Sequence, residues 1–338
     1  MGDVLHAMPA VAAVREALPA ARLGWVIEER WAELLCGTGR EVLATSASGR
    51  PLVDAVHRVN TKRWRSDPFA DRTRADIETA SQQLRSARYD VAIDFQGAIK
   101  SAAVAHWSRA ESRAGFEKPR ERLAALLYTR RVGTRSAHVI EQNLELASAV
   151  VGGTPAPGTF DVARDPAAEE WSRCEVANLG AERYAILNPG AGWGAKCWPA
   201  NSYAAVARAL AASGVSSLIN YGPNETALAS EVEEKSGGTA RKVLCSVSEL
   251  VALTRRAAVL VGGDTGPLHL AAALKIPVVA LFGPTDPARN GPYGTRSVVL
   301  RSRQSATSYK HHGAADDGLL SITPEEVIAA AKGLVGIG

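Results

Sequence analysis

The sequence predicts an α/β protein with two domains, each a parallel sheet covered by helices on both faces. The chain has 338 residues, which is enough for two domains of ordinary size. In both halves short apolar runs alternate with segments of helical periodicity. Between the halves lies GGTPAP, at Gly152–Pro157, whose composition is typical of a linker. We therefore predict domains at 1–152 and 158–322, followed by a C-terminal helix at 323–338.

The first half contains strands and helices in alternation. Apolar runs predict strands at Leu23–Ile27, Val53–Val59 and Tyr89–Asp94. Helical spacing predicts helices at Pro9–Leu18, Arg74–Ser86, from Lys100 onward, and at Ala137–Val150. The chain opens on a polar Gly2-Asp3 turn and a helix. An α/β domain normally has a buried strand before such a turn, and here that strand is absent from the sequence.

The second half repeats the same pattern more regularly. The predicted strands are Tyr184–Leu187, Ser217–Tyr221, Val259–Val261 and Val278–Phe282. The predicted helices are Ser202–Ala212, Thr226–Ser236, Val247–Arg255, Leu268–Leu274 and, after a polar segment at Arg301–Gly318, Pro324–Leu334. Repeated strand–helix units of this kind favour one doubly wound sheet per half.

Composition excludes several classes of protein. A hydrophobic content of 46% with 22% charged residues predicts a folded chain, and a net charge of +4 argues against a dedicated nucleic-acid binder. The four cysteines lie far apart with no C-x-x-C pair, which disfavours a zinc site or a disulfide framework. No apolar run approaches the length of a membrane span, and no signal peptide is visible. We expect a soluble, cytoplasmic protein that contacts membranes only at its surface.

The most informative segment runs from Val259 to Leu274. An apolar strand is followed by two glycines, then by Asp264-Thr265-Gly266-Pro267, then by an apolar helix. Such a turn directs free backbone N–H groups and the positive end of a helix dipole at one point, which suits a diphosphate. A second strand end, in PVVALFGPTDP, opens on the same edge and completes a ligand crevice. Neither G-x-G-x-x-G nor G-K-[ST] is present, which weakens dehydrogenase and NTPase interpretations.

Five motifs occur in a fixed order along the chain: MGDVLHAMPAVAAVREALPAARLGWVIEE, YDVAIDFQGAIKSA, NPGAGWGAKCWP, GGDTGPLHLAAAL and LFGPTDP. In this order they resemble the signatures of the lipopolysaccharide heptosyltransferases, glycosyltransferase family 9. The likeness runs from Met1 to about Tyr293. The resemblance implies the GT-B fold, with two Rossmann-like α/β/α domains facing across a cleft. The basic run TKRWR and the segment PRERLAALLY are most similar to heptosyltransferase I, which adds the first heptose to Kdo-lipid A.

The family has an apolar strand immediately before the turn that here opens the chain. Its absence leads us to expect that this strand is encoded upstream or was truncated. Unpaired backbone groups on the neighbouring strands would each cost about 1–3 kcal/mol. We therefore expect the chain as numbered to be poorly soluble or inactive, and an added upstream strand to rescue it.

Asp3 and Lys196 are the predicted catalytic residues. An inverting transfer needs a base within hydrogen-bond reach of the acceptor hydroxyl, and Asp3 occupies the family's base position. Capping of the following helix would also explain an aspartate there. Lys196 follows a glycine-rich turn and matches the family's AKCWP segment, which implies that it offsets charge on the leaving group. The alternative is a solvated loop lysine.

The predicted donor site adds five residues to Lys196: Glu225, Asp264, Thr265, Gly266 and His269. Thr265 and Gly266 can donate backbone N–H groups to a diphosphate. The Asp264 carboxylate would repel one, so it either caps the helix or faces sugar hydroxyls, and the resemblance implies the donor heptose. Glu225 follows a strand end, where a carboxylate can accept from ribose hydroxyls or simply favour the helix N-terminus. His269 either contacts phosphate or is a core residue with one hydrogen bond.

The predicted acceptor site comprises Lys62, Arg63, Arg65, Arg120, Gln96 and Lys100. A charge run is usually a solvated face. An acceptor bearing Kdo carboxylates and lipid A phosphates nevertheless needs several cations, and arginine suits such oxyanions by its fork geometry. Trp64, in the same run, could lie at the boundary between acyl chains and sugar.

The resemblance implies an inverting enzyme that moves heptose from ADP-heptose to the Kdo-lipid A inner core. The expected partners are the nucleotide-sugar and this anionic lipid at the inner face of the inner membrane, with no nucleic acid. No cofactor is expected and no metal, because no histidine pair has ligand spacing and His311-His312 lies in a polar tail. Two alternatives stay open. One is heptosyltransferase II or another nucleotide-sugar transferase of the family; the other is a truncated, non-catalytic paralogue that only binds the nucleotide.

Overall fold

The structure, a computed structural model, describes residues 1–37, 41–153, 157–192, 194–308 and 316–337. It divides into two compact units. The first unit is Asp3–Ala163, and the second is Arg164–Gly338 together with Met1–Gly2. The division falls later than the predicted linker at Gly152–Pro157, of which 154–156 lie outside the described residues. The reason is that the segment after this linker still pairs with a strand of the first unit.

The first unit contains five helices and seven strands among its described residues. The helices are α1 (Gly2–Ala17), α2 (Thr61–Ser66), α3 (Asp71–Ala87), α4 (Ile99–Trp107) and α5 (Val139–Val151). The strands are β1 (Gly24–Glu28), β2 (Thr45–Ser46), β3 (Ala55–Val59), β4 (Val91–Asp94), β5 (Ser112–Phe116), β6 (Arg130–Val132) and β7 (Phe160–Asp161). Single 3₁₀ turns occupy Glu29–Leu34 and Arg122–Leu127.

The parallel strands of the first unit form two separate sheets. One has the order β1-β3 and the other β4-β5-β6, while β2 and β7 pair as a short antiparallel ribbon. Within the described residues no strand pairs with both β1 and β4. Both strands are only partly buried, and Val91 of β4 is exposed. Tyr89 bridges the two sheets at one end, where its hydroxyl lies 2.8 Å from His57 Nε2.

The second unit is built from the remaining strands and helices. The strands are β8 (Arg183–Asn188), β9 (Val215–Asn220), β10 (Ala240–Val243), β11 (Val259–Gly263), β12 (Val278–Phe282) and β13 (Ser297–Arg301). The helices are α6 (Pro166–Ala177), α7 (Ala200–Ala211), α8 (Thr226–Lys235), α9 (Val247–Arg256), α10 (Gly266–Ala273), α11 (Pro287–Asn290), α12 (Asp317–Leu320) and α13 (Pro324–Val335). A 3₁₀ turn covers Gly194–Lys196.

These six strands form one parallel sheet in the order β10-β9-β8-β11-β12-β13. Alternate residues of the central strands enter different cores. Leu187 and Val261 pack with α7, α8 and α13, whereas Ile186 and Leu260 pack with α9 and α10 on the other face. This period-two burial with helices on both sides is the predicted doubly wound arrangement, and the predicted fold class is confirmed. Helix α13 packs in this core, so it belongs to the second unit.

The helix that opens the chain differs from the sequence prediction. The apolar spacing predicts a start at Pro9, but α1 begins at Gly2 and contains Pro9 in its interior. The basic run TKRWR, read as a charged segment, is the helix α2. Its N-cap is Asn60, whose side-chain oxygen accepts from the Arg63 amide at 3.1 Å.

Candidate functional site

In the second unit, the carboxyl end of β11 leads directly into the first turn of α10. The strand ends at Gly263, and the helix begins at Gly266 with Pro267 in its first turn. Proline there has no amide hydrogen to lose and fixes a helical φ, so the turn is local in origin. The first N–H groups of a helix have no acceptor within it and carry the positive end of the dipole. Thr265 and Gly266 therefore lie at the N-terminal end of this helix, and that this end binds an anion stays a prediction.

Asp264 lies beside this helix end in a buried cluster with Lys196 and His269. Lys196 Nζ is 2.6 Å from Asp264 Oδ2 and donates to the Asp264 carbonyl at 3.0 Å. On the other side, His269 Nε2 lies 3.0 Å from Asp264 Oδ1. Burial alone would raise the pKa of Asp264, but the His269 hydrogen bond and the Lys196 charge outweigh it and hold that pKa well below its usual range. Asp264 is thus an anion fixed beside the first turn of α10.

The contacts of this cluster exclude one of the predicted alternatives for Asp264 and one for Lys196. Helix α10 has Thr265 as its N-cap, with no side-chain capping bond, so Asp264 does not cap it. Lys196 is mostly buried in an ion pair, and the interpretation as a solvated loop lysine is wrong. His269 is buried and bonded to a carboxylate, which fits its alternative as a polar core residue; contact with phosphate stays a prediction.

Glu225 is the N-cap of α8, at the end of the loop that follows β9, but its side chain does not cap the helix. Its carboxylate instead accepts from the Gly222 amide at 2.7 Å. It also lies against Gly190, where any Cβ atom would overlap the carboxylate. Glycine at 190 therefore allows the loop after β8 and the acidic side chain after β9 to meet at one edge of the sheet.

Two buried asparagines, which the sequence analysis missed, connect these loops. Asn188 Nδ2 donates to the Gly190 carbonyl at 3.0 Å and to Thr265 Oγ1 at 3.2 Å. Asn220 Nδ2 donates to Asn188 Oδ1 at 2.6 Å. Each asparagine is the last residue of its strand, and this repeated polar residue at the end of an apolar run was the available signal. The network fixes the loops after β8, β9 and β11 relative to one another.

In the first unit, Asp3 lies within the first turn of α1. Because the helix begins at Gly2, Asp3 does not precede it as an N-cap would, and the capping alternative is wrong. Its carboxylate accepts from Gln96 Nε2 at 3.1 Å, and Arg120 Nη1 lies 4.0 Å away. The side chain is exposed. Three residues predicted to share a site are therefore brought together, with the carboxylate accessible to a ligand.

Asp94 holds the loop that carries Gln96, and the sequence analysis missed its role. This buried carboxylate, at the end of β4, accepts from the amides of Gln96 at 2.9 Å and Gly97 at 3.1 Å. It also accepts from the hydroxyls of Ser101 at 2.8 Å and Tyr128 at 2.7 Å. Burial and the neighbouring Asp94 charge raise the pKa of Tyr128, so the phenol stays protonated and keeps donating.

Some of the remaining predicted acceptor residues are exposed to solvent, and others are paired with side chains of the same unit. Lys100 Nζ lies 3.4 Å from Glu28 Oε1 and 3.3 Å from Thr61 Oγ1. Lys62, Arg65 and Arg120 are exposed.

Two side chains of α2 face inward instead. Arg63 is half-buried in an ion pair with Asp76 of α3, so it is not an open cation. Trp64 is buried, with its ring centroid 6.1 Å from that of Trp107, and the predicted position at an acyl boundary is wrong. The helical period explains the difference, because it turns residues 63 and 64 toward α3 and leaves 62 and 65 outside.

Across the described part of the chain, no group of three or more His, Cys, Asp or Glu side chains is placed to hold a metal ion. His311-His312 lie outside the described residues. In the same residues, no helix combines the length and apolar character that crossing a membrane requires.

Comparison with known proteins identifies the family. Residues 77–317 match glycosyltransferase family 9 (heptosyltransferase). The chain is 29% identical over 308 residues to lipopolysaccharide heptosyltransferase 1 of Escherichia coli (strain K12), covering 89% of this chain and 91% of that protein. It is 30% identical over 314 residues to lipopolysaccharide heptosyltransferase 1 of Pseudomonas aeruginosa, covering 89% and 81%.

Solved structures agree. The chain superposes on Escherichia coli heptosyltransferase WaaC with ADP at a TM-score of 0.77 and 27% identity, covering 99% of this chain and 97% of that one. A family 9 glycosyltransferase from Veillonella parvula shares the fold at a TM-score of 0.79 and 19% identity, covering 99% and 94%. The fold and the family predicted from the five motifs are confirmed. Because the family match extends over more than half of its length, this chain belongs to glycosyltransferase family 9, the heptosyltransferases.

Proposed function

We propose that the chain transfers heptose from ADP-heptose to the Kdo-lipid A inner core, as a heptosyltransferase I. The observation that carries the proposal is the exposed Asp3 carboxylate held by Gln96 and Arg120. The relatives support the subgroup. Those named heptosyltransferase 1 are 29% and 30% identical over 89% of this chain. Two relatives named heptosyltransferase 2 match less of it, at 27% identity over 75% and 31% over 44%, and a heptosyltransferase 3 is 24% identical.

In the proposed donor complex, the backbone amides of Thr265 and Gly266 bind the diphosphate of ADP-heptose. Lys196 balances the charge of Asp264, so a second anion can approach an edge that would otherwise repel it. Asp264 then accepts from heptose hydroxyls, Glu225 accepts from the ribose hydroxyls, and His269 lies beside the phosphates. A solved relative is described as bound to ADP, which supports this choice of nucleotide.

In the proposed reaction, Asp3 accepts the proton of an acceptor hydroxyl. The hydroxyl oxygen forms a bond to the anomeric carbon of the heptose, and the bond from that carbon to the phosphate oxygen breaks. The electron pair leaves with ADP, whose new charge Lys196 and the helix amides stabilise. Attack from the face opposite the leaving group inverts the anomeric centre. The step requires no metal ion or other cofactor, because these cations and amides perform the electrostatic role.

The proposed acceptor contacts are the exposed cations of the first unit. Lys62, Arg65, Lys100 and Arg120 suit an acceptor with several carboxylates and phosphates, and arginine can bind such groups through two parallel hydrogen bonds. A lipid acceptor implies that the protein works at a membrane surface. Nucleic acid is not a proposed partner.

The test is a transfer assay with ADP-heptose and two acceptors, Kdo-lipid A and the same acceptor already carrying one heptose. We expect a mass increase of one heptose on the first acceptor only. Extension of only the second would indicate a heptosyltransferase II. Binding of ADP without transfer to either would indicate a non-catalytic paralogue. Excess EDTA should leave the rate unchanged, whereas an EDTA-sensitive rate restored by magnesium would contradict the metal-free mechanism.

A further inference from the structure

Exposed leucines on one short segment of the first unit have no role in the proposed reaction. Among the large hydrophobic side chains of the described residues, Phe69, Leu126 and Leu123 are the most exposed, at 85%, 73% and 63%. Leu123 and Leu126 both lie on the 3₁₀ turn Arg122–Leu127. Side chains three residues apart eclipse in a 3₁₀ helix, so the two leucines project from the same face.

The opposite face of this turn is anchored. Ala124 is fully buried against Ala102 of α4 and Tyr128, and Leu127 packs on the same small core. The segment is thus a fixed platform that turns its two leucines outward, because its inner positions already satisfy the core.

Backbone hydrogen bonds attach the platform to the loop before α4. The Glu121 amide donates to the Gly97 carbonyl at 2.9 Å, and the Ile99 amide donates to Glu121 Oε2 at 2.8 Å. Ile99, which is 42% exposed, therefore lies beside Glu121, just before the turn that carries the two leucines. Singly scattered apolar side chains on a surface need no explanation, but adjacent ones on a rigid element indicate a contact surface.

Cations border these leucines. The five residues before Leu123 include Lys118, Arg120 and Arg122, all exposed, against the single carboxylate of Glu121. That carboxylate is already an acceptor for the Ile99 amide. Apolar side chains flanked by lysine and arginine match an anionic bilayer, with leucines at the acyl boundary and cations at lipid phosphates.

We propose that residues 118–127, the basic-leucine turn, dock the enzyme on an anionic lipid bilayer. The inference rests on the proposed function, in which the acceptor is a membrane lipid. Arg120 of this turn is the residue beside Asp3, so docking brings the predicted base to the bilayer surface where a lipid-linked hydroxyl lies.

The experiment measures co-sedimentation of the full chain with vesicles of phosphatidylglycerol and phosphatidylethanolamine. Leu123→Ser/Leu126→Ser should lower the partition coefficient about tenfold, because withdrawing one leucine-sized side chain from an apolar environment already changes an equilibrium by about that factor. The matched control is Leu244→Ser/Leu320→Ser, two leucines of the second unit that are 55% and 46% exposed. The control should bind vesicles like the wild type. Phosphatidylcholine vesicles should bind all three proteins weakly.

Unfolding temperature and ADP binding show whether each variant is folded. Transfer to a Kdo acceptor without acyl chains should survive in Leu123→Ser/Leu126→Ser. Wild-type vesicle binding without any transfer would defeat the proposed function and leave the docking surface standing. Equal vesicle binding by this variant and the wild type would overturn the docking surface. A wild-type dimer that the double substitution dissociates, with no vesicle binding, would also overturn it and assign the leucines to a second copy of the chain.

Discussion

The two units of this glycosyltransferase use the same alternation of strands and helices but complete their sheets differently. In the second unit, β8 is hydrogen-bonded on both sides, to β9 and β11, and the central strands are buried almost throughout. In the first unit, β1 and β4 belong to separate sheets and their residues are largely half-exposed. A doubly wound sheet gains its rigidity from a continuous run of paired strands. Within the described residues, the second unit has six strands in one sheet, whereas the parallel strands of the first unit are divided between a sheet of two and a sheet of three.

The candidate sites follow the same division. In the second unit, Lys196 and His269 form a buried cluster around Asp264, with ion-pair and hydrogen-bond contacts of 2.6 and 3.0 Å. In the first unit, Asp3, Lys62, Arg65, Lys100 and Arg120 are exposed, and Arg120 stands 4.0 Å from Asp3. We infer that the continuous sheet holds a preorganised nucleotide site, whereas the split sheet presents an open edge suited to a large lipid.

The largest expected effect is on the transfer rate, and it tests the role of the exposed Asp3. Asp3→Ala should reduce the transfer rate by about 10²–10⁴-fold, the usual contribution of a positioned general base. Affinity for ADP-heptose, measured by calorimetry, should not change, because the donor residues lie in the other unit. Asp90→Ala, which removes an exposed carboxylate at the far end of β4, is the control and should keep full activity. Parallel loss of donor affinity and rate would make Asp3 a structural residue.

A matched pair of lysines sharpens the contrast between buried and open sites. Lys196 pairs with Asp264 at side-chain exposures of 13% and 6%, and Lys100 pairs with Glu28 at 46% and 18%. Lys196→Ala should lower the free energy of unfolding by about 3–5 kcal/mol, since it removes the ammonium partner of a buried carboxylate and leaves that carboxylate with only the His269 contact. Lys100→Ala should cost about 0–1 kcal/mol, as exposed pairs do. Chemical denaturation measures both, and equal losses would refute the contrast.

Hydrogen exchange tests the sheets themselves. Amides of β1 and β4 should exchange at least about tenfold faster than those of β8 and β11, since local openings range in free energy from near zero to the global value. Mass spectrometry of peptides spanning the four strands reads this out. Equal protection in all four would show that the split between β1 and β4 does not weaken the first unit.

The pH dependence of stability should also differ between the units. Burial, then the Arg22 charge, lowers the pKa of His57 from 6.5, so the unfolded first unit binds more protons. Its free energy of unfolding should therefore fall as the pH drops through 6.5. The lowered pKa of Asp264 maintains its contribution until the pH drops below 3.8. Thermal unfolding across this pH range measures both effects. His57→Gln should remove the fall in stability near pH 6.5 and leave the fall below pH 3.8 unchanged. If the variant kept the fall near pH 6.5, His57 would not be its cause.

The smallest effect concerns α2. Lys62→Ala/Arg65→Ala should raise the acceptor Michaelis constant a few-fold and weaken its salt dependence, because salt screens contacts between exposed charges. Arg63→Ala should instead lower stability, since Arg63 is paired with Asp76. Steady-state kinetics at two salt concentrations separate these outcomes. A larger kinetic effect for Arg63 would restore it to the predicted acceptor set.

Local patterning predicts part of the second unit to within a few residues: strands β8, β9, β11 and β12 and helices α7, α8, α9, α10 and α13. Strand β12 is predicted with its observed bounds. The turn from β11 into α10 is equally local, because glycine and proline act on the backbone where they stand. The short strands β5, β6, β10 and β13 escape such reasoning. Their four or five residues, or three in β6, are partly polar, and only neighbouring strands make them part of a sheet.

Tertiary structure decides which side chains meet. Lys196 and Asp264 are 68 residues apart in the chain, and Tyr128 reaches Asp94 across 34. No periodicity encodes these pairs, because a side chain's partner depends on how distant elements pack. The same holds for Trp64, buried against Trp107, and for Leu123 and Leu126, left outside by a turn whose inner face is already filled. Apolar character is a property of the residue, whereas burial is a property of its neighbours in space.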